Sequence, residues 1–263
     1  KFIAALKADT PDLRVVGLTA TAFRLDSGRL DRGKDRLFDK IVYDANVVNL
    51  IEQGYLCPLI SKATATMLDV AEVGKRGGEF IPGQLEVAVD KEWITKSAAQ
   101  EMLKFGETRK SWLAFCSGVQ HAGHMRDAIR ATGISCETVT GETPKAERDS
   151  FIRQFRAGQI RCLTSVGVLG TGFNVPQVDL IALLRPTQSA GLFVQQCGRG
   201  LRKAPQKENC LVLDFAGNTQ RHGPIDTITA HSASQERKPG EALSKTCPVC
   251  QTILALASQQ CPT

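Results

Sequence analysis

The chain has 263 residues, 42% hydrophobic and 23% charged, which is the composition of a globular protein with room for one large or two modest domains and argues against disorder. Its 33 Lys and Arg against 27 Asp and Glu leave a net charge of +6, a lean toward a polyanionic partner that composition alone does not establish. No apolar run reaches the roughly 18 residues of a membrane span, and the apolar stretch Phe2 to Leu6 is too short for a signal peptide, so neither a membrane protein nor a secreted one is expected.

Phe2, Ile3 and Leu6 have helical spacing and are closed by Asp9-Thr10-Pro11. Leu13 to Leu18 reads as a buried strand ending in Thr19-Ala20-Thr21-Ala22-Phe23-Arg24. Hydroxyls such as Thr19 and Thr21 at the end of a parallel strand suit ligand contact, and an ordinary Ser/Thr turn suits them equally. Before position 50 only this one strand is convincing, whereas a complete parallel-sheet α/β domain needs about five. Residues 1–50 therefore read as the tail of a domain whose body is not in this sequence. Gly28 to Asp35 matches GxxxxGK but ends in Asp35, which brings no hydroxyl for magnesium and would repel phosphate; it reads as a solvated loop. No DExH or DEAD sequence occurs.

Asn46 to Gln53 predicts a short helix with Gly54 behind it, a crossover into a second α/β domain spanning residues 51–230. Thr64 to Val73 alternates weakly, as an exposed strand would, and Trp93 to Phe105 carries a helical apolar stripe. Trp112 to Cys116 is a short buried strand, after which Ser117 is placed to cap a helix and turn its amides toward a phosphate. His121 and His124 read as surface or packing residues. A further strand ends near Gly141, Thr143-Pro144 starts a helix with Phe151, Ile152 and Phe155 on its buried face, and Gly158 ends it.

Ile160 to Val166 and Val178 to Leu184 are apolar enough for interior parallel strands. Between them, Gly170-Thr171-Gly172 frees the backbone to approach a phosphate or ribose, with Asn174 close behind. Gln195, Arg199 and Arg202 follow on a predicted helix, both arginines within about 40° of Gln195 at a 3.6-residue period. Arginine is always charged and its planar fork fits phosphate oxygens. Cys210 to Phe215 is the last strand, and residues 231–263 are a polar linker followed by Cys247, Cys250 and Cys261. Six other cysteines are single residues in apolar patterns, a usage that points to a reducing cytoplasm; the clustered three have the CPxC form of a zinc knuckle.

Several of these stretches resemble superfamily 2 helicases. Gly17 to Arg24 resembles motif III with Ala22 in place of proline; Trp112 to Ala122 resembles motif IV, and Gly141 to Arg148 the neighbouring Gly-Thr turn. Val168 to Pro176 resembles motif V with Asn174 in place of the usual Asp, and Gln195-x-x-Gly198-Arg199-x-x-Arg202 resembles motif VI. The wording is most similar to the RadD-type bacterial DNA-repair helicases, whose C-terminus also bears a zinc module. The resemblance implies a RecA-like parallel-sheet domain of an ATP- and magnesium-dependent DNA motor in the bacterial cytoplasm. Catalytic roles would fall to Gln195, Arg199 and Arg202, and nucleotide contact to Gly170, Thr171, Gly172 and Asn174. Single-stranded or branched DNA would lie along Thr19, Thr21, Ser117, Gly141 and Thr143. Zinc would sit on Cys247, Cys250, Cys261 and a fourth ligand beyond Thr263. Other DNA-repair proteins are implied partners. Without a P-loop and acidic motif the chain alone is expected to hydrolyse no ATP. An RNA helicase or restriction-type translocase motor, and a non-catalytic nucleic-acid-binding module derived from a helicase, fit the same motifs.

Overall fold

The structure, a computed structural model, describes residues 2–24, 28–34, 36–169, 173–225, 228 and 244–261. The chain opens with helix α1 (Phe2–Asp9), a minimal hairpin of β1 (Phe23–Arg24) and β2 (Gly28–Arg29), and helix α2 (Val47–Glu52). Asn46 caps α2 through its side-chain oxygen, which accepts from Asn49 N at 3.1 Å, and Gly54 follows with φ +74°. Leu13 to Leu18 is not a strand: Val16 is 86% and Leu18 98% exposed, and among the described residues no neighbour pairs with them. A parallel strand exists only as a member of a sheet, because its amides need partners on adjacent strands.

The body is one six-stranded parallel sheet. In chain order its members are β3 (Leu59–Ala63), β6 (Trp112–Cys116), β7 (Cys136–Val139), β8 (Cys162–Ser165), β9 (Leu180–Leu184) and β10 (Cys210–Asp214). Their spatial order is β3-β10-β9-β6-β8-β7, every pair parallel. Strands β6, β8, β9 and β10 are buried along their whole length, which is why they read as unbroken apolar runs. The first strand is Leu59–Ala63, not Thr64 to Val73. Thr64 Oγ1 instead donates to Thr66 O at 2.8 Å and lies 3.2 Å from Asp214 O, and such side-chain bonds to backbone end a strand in a turn.

A second small hairpin, β4 (Lys75–Arg76) and β5 (Glu79–Phe80), leads into helices α3 (Pro82–Val89) and α4 (Glu92–Phe105). Helix α5 (Val119–Ala131) links β6 to β7 and α6 (Lys145–Arg156) links β7 to β8. Pro144 caps α6 from outside instead of forming its first residue, and Phe155 is its fully buried anchor. Helix α7 (Ala190–Cys197) links β9 to β10, and α8 (Asn218–His222) follows β10.

The connection that matters runs from β8 to β9. Those consecutive strands lie on opposite sides of β6, and the connections leaving the adjacent strands β6 and β9 run in opposite directions across the sheet, β6 toward β7 and β9 toward β10. In open α/β sheets ligands bind at the carboxyl ends of strands beside such a divergence.

Beyond the main body, β11 (Ser244–Thr246) and β12 (Ile253–Ala255) form a hairpin whose turn holds Cys247 and Cys250. This unit packs along the free edge of β3: Ala63 N donates to Gln251 O at 2.9 Å and Lys62 bridges Thr252. The expected linker falls mostly on residues outside the described ones. Among those described, no helix is long and apolar enough to cross a membrane.

Candidate functional site

Helix α7 is started by Ser189, whose hydroxyl accepts from Leu192 N at 3.2 Å. It is shorter than the spacing of Gln195, Arg199 and Arg202 predicts and ends at Cys197. Gly198, Arg199 and Gly200 then continue as tight turns, with Arg199 N bonded to Gln196 O and Gly200 N to Cys197 O. Two glycines around one arginine hold a helix poorly, and Gly200 packs so close to Cys210 that a Cβ there would sit 2.6 Å from its sulfur. Gln195 is therefore on the helix, and Arg199 and Arg202 are on the turns beyond it.

The two arginines nonetheless converge. Arg199 Nη1 donates to Phe173 O at 2.8 Å and Arg202 Nη1 to the same oxygen at 2.5 Å. Burial holds the Arg199 guanidinium below its ordinary pKa, and the neighbouring Arg202 charge pushes the same way; a guanidinium so placed still stays cationic at neutral pH. Neither forms an ion pair among the described residues. Two like charges held on one carbonyl with no carboxylate nearby create a positive site whose natural complement is a polyanion.

Lys207, which the sequence did not single out, fixes this turn. Its ammonium donates to Arg202 O at 2.7 Å, Gly200 O at 2.8 Å and Pro176 O at 3.1 Å. One cation thus joins the arginine turn to the loop carrying Phe173. Gly170, Thr171 and Gly172 lie outside the described residues. Asn174 is exposed, and its backbone carbonyl, not its amide, is engaged, by Arg156 Nη2 at 2.9 Å.

The expected nucleic-acid contacts divide. Thr21 approaches the start of α7: a Cβ built on Gly191 would lie 3.9 Å from Thr21 Cβ and 3.7 Å from the Phe23 ring. Thr19 and Thr21 form a local Ser/Thr turn, Thr19 Oγ1 bonding Thr21 N and O. Gly141 is exposed, with open space where a side chain would stand. Thr143 Oγ1 accepts from Thr140 N at 2.9 Å, and its carbonyl accepts from Arg148 Nη2.

Ser117 does not cap α5. It is buried, and its hydroxyl donates to Leu184 O at 2.9 Å, tying β6 to β9. Gly118 is the N-cap residue, and the helix end is filled from α3 by Glu86, whose carboxylate accepts from His121 N at 3.1 Å. A carboxylate at a helix N-terminus answers its partial positive charge, so this end presents no open anion site. His121 is fully buried with Nδ1 accepting from Ser117 N, and burial pulls its pKa down to about 4. His124 is exposed and paired with Asp90 at 2.9 Å.

A second network braces the turn before α7. Glu79 accepts from Gln188 N at 2.9 Å and from Thr187 Oγ1 at 2.5 Å. Asn218 Oδ1 accepts from Thr187 N and Arg221, and its Nδ2 donates to Arg185 O. Asp214, almost wholly buried, accepts the amides of Ala216, Asn218 and Thr219; burial raises its pKa against those bonds. The Asp214-Phe215-Ala216-Gly217-Asn218 stretch is thus a brace for α7.

Cys247, Cys250 and Cys261 bring their three sulfurs within 4.8 Å of one another, Cys250 and Cys261 at 3.4 Å. Thiolates at that spacing suit three corners of a tetrahedral zinc site. The other six cysteines are buried free thiols, and burial pushes Cys197 and Cys210 well up, Cys210 to about 12.

Residues 95–204 match the family described as helicase conserved C-terminal domain. A Saccharomyces cerevisiae protein assigned as ATP-dependent helicase IRC3 is 30% identical over 215 residues, covering 80% of this chain and 31% of its own length. A Schizosaccharomyces pombe protein assigned as a mitochondrial ATP-dependent helicase is 32% identical over 82% of this chain and 35% of its own length. The chain thus spans about a third of each of these relatives. A fragment structure of an assigned HsdR subunit of a type I restriction enzyme from Vibrio vulnificus superposes on 72% of this chain and 37% of that one, with TM-score 0.57 and 21% identity. The span that matches this family takes in β6 to β9 and the whole arginine turn, and the parallel sheet has the RecA-like helicase C-terminal fold.

Proposed function

We propose that the protein is the second motor half of a superfamily 2 DNA helicase or translocase, with ATP bound between it and a first RecA-like domain. The observation that carries this reading is the convergence of Arg199 and Arg202 on Phe173 O without a carboxylate partner among the described residues. As charge builds on the γ-phosphate, these guanidiniums stabilise it from across the cleft, and Gln195 orients groups in the same cleft. Mg2+ and the attacking water need carboxylates supplied by the first domain, so the chain alone turns over no ATP. Residues 1–50 are the tail of that first domain, residues 51–230 the second domain, and residues 231–263 the linker and cysteine unit. The exposed Val16, Leu18, Val42 and Tyr43 support this division, since such side chains are ordinarily covered.

Gly170, Thr171, Gly172 and Asn174 contact the nucleotide, and Thr19, Thr21, Gly141 and Thr143 follow a DNA backbone. Ser117 is not among them, since its hydroxyl is bonded to Leu184 O and its amide to His121 Nδ1. The RadD-type wording of the motifs favours DNA repair, single-stranded or branched DNA, other repair proteins as partners and a reducing bacterial cytoplasm. Zn2+ closes the cysteine unit with a fourth ligand. The test is DNA-stimulated ATP hydrolysis by the complete gene product. Arg199→Ala should lower turnover on the order of 10³-fold with the fold intact. Undiminished turnover in that variant would sink the assignment. If RNA and not DNA stimulates hydrolysis, the RNA-motor reading takes its place.

A further inference from the structure

At the carboxyl ends of β6, β8 and β9, where the connections leaving β6 and β9 diverge, a small cavity of about 60 Å3 opens between the sheet and α7. Phe115 and Cys116 end β6, Ser165 and Gly167 leave β8, Arg185 leaves β9, and Gln195 and Gln196 come from α7. The register sets these ends side by side, Phe115 lying between Ser165 and Leu183 on its two neighbours.

Three polar side chains in this cavity have no hydrogen-bond partner among the described residues. Ser165 is 1% exposed and its Oγ is unsatisfied; Gln196 is 2% exposed and its Oε1 is unsatisfied. Arg185 is half-buried, makes no side-chain hydrogen bond or ion pair, and burial holds its guanidinium below its ordinary pKa. Glu79, whose charge reaches Arg185, has its carboxylate engaged by Thr187 and Gln188. Buried polar groups are ordinarily paired, so two left unpaired beside an unpaired guanidinium, in one cavity where the outgoing connections diverge, point to a ligand.

We infer that Arg185, Ser165 and Gln196 form a subsite for one phosphate group, separate from the Arg199 and Arg202 pair. The guanidinium supplies charge and a fork of donors, and the Ser165 hydroxyl supplies a third donor. The Gln196 amide, bonded at neither end, turns to present its NH2. Gly167, at φ +72° with open space where a Cβ would stand, leaves the mouth clear. The phosphate belongs either to a nucleic-acid backbone, in which case the inference rests on the motor reading above, or to a nucleotide or free phosphate, in which case it does not.

The test uses the 263-residue chain labelled with 15N, following Arg185 Nε–H and the Gln196 side-chain amide while inorganic phosphate, ATP or dT12 is added. A saturable shift of both signals with at least one probe is expected. In Arg185→Lys, which keeps the charge but loses the fork, that probe should bind about tenfold more weakly. A response to dT12 alone identifies a backbone phosphate, and the slope of log affinity against log salt should then fall by about one in the variant. A response to phosphate or ATP without dT12 identifies a nucleotide source, and the subsite then stands even if the nucleic-acid reading falls. Binding of dT12 detected by anisotropy with no change in either signal overturns the subsite and leaves that reading intact. No shift with any probe in a folded chain also overturns it.

Discussion

The sheet body and the first 50 residues are written in similar words and fold differently. Leu180 to Leu184 and Leu13 to Leu18 are both short apolar runs, yet the first is wholly buried and the second leaves Leu18 98% exposed. Strand β9 has β6 on one side and β10 on the other, and each supplies backbone partners and covering side chains. Among the described residues the earlier run has no strand beside it and only the Phe38 ring against Gly17. Strand formation is therefore a property of the neighbourhood as much as of the segment, and the difference marks where this chain's own core ends.

The largest effect that would sharpen this contrast is Trp112→Ala. Trp112 is fully buried, its indole N–H donates to Arg109 O at 3.0 Å, and the Arg161 guanidinium stacks 4.7 Å from its ring. Its loss should cost about 3–5 kcal/mol in urea unfolding. Next comes Lys207→Met, which leaves three carbonyls without their cation and should cost about 2 kcal/mol. The same variant should speed amide exchange at Arg199 and Gly200 more than in β6, because the loss is local to the arginine turn.

A comparable effect is pH-dependent. His121 titrates near 4 when folded and near 6.5 when unfolded, so the unfolded chain takes up the proton first. Stability is full above about pH 6.5 and is lost as pH falls toward 4, by about 2 kcal/mol at pH 5. His121→Gln should flatten that part of the pH profile relative to the parent; parallel profiles would show that His121 is not the group responsible. The smallest effect is Leu18→Ser, expected within about 0.5 kcal/mol in this chain. A loss of 2 kcal/mol there would break the comparison by revealing packing that the exposed run does not show.

How much could be read beforehand follows the same physics. Strands β6, β9 and β10 and the Phe155 anchor of α6 were legible because uniform burial writes uniform apolarity. The convergence of Arg199 and Arg202 was legible, but α7 was extended through them, since their spacing is helical and only the Gly200 contact with Cys210 shows why the helix stops. Glu86 at the head of α5 could not be found locally: it and His121 are 35 residues apart and meet only through the packing of α3 on α5. Ser117 was misassigned for the same reason, its hydroxyl being claimed by Leu184. Arg185 did leave a signal, a charge at the very end of an otherwise apolar strand, where a parallel sheet ordinarily meets its ligand.

The cysteine hairpin has a consequence of another kind. A six-stranded parallel sheet has two open margins, and each offers unpaired amides and carbonyls to any extended chain in solution. On one margin β7 is only four residues long and carries Glu137, paired with Arg130. On the other, β3 is longer, and Gln251 and Thr252 lie along it. The turn that holds Cys247 and Cys250 is thus also the segment that covers part of this edge, so a change that loosened the turn would bare β3 to strand pairing with another chain.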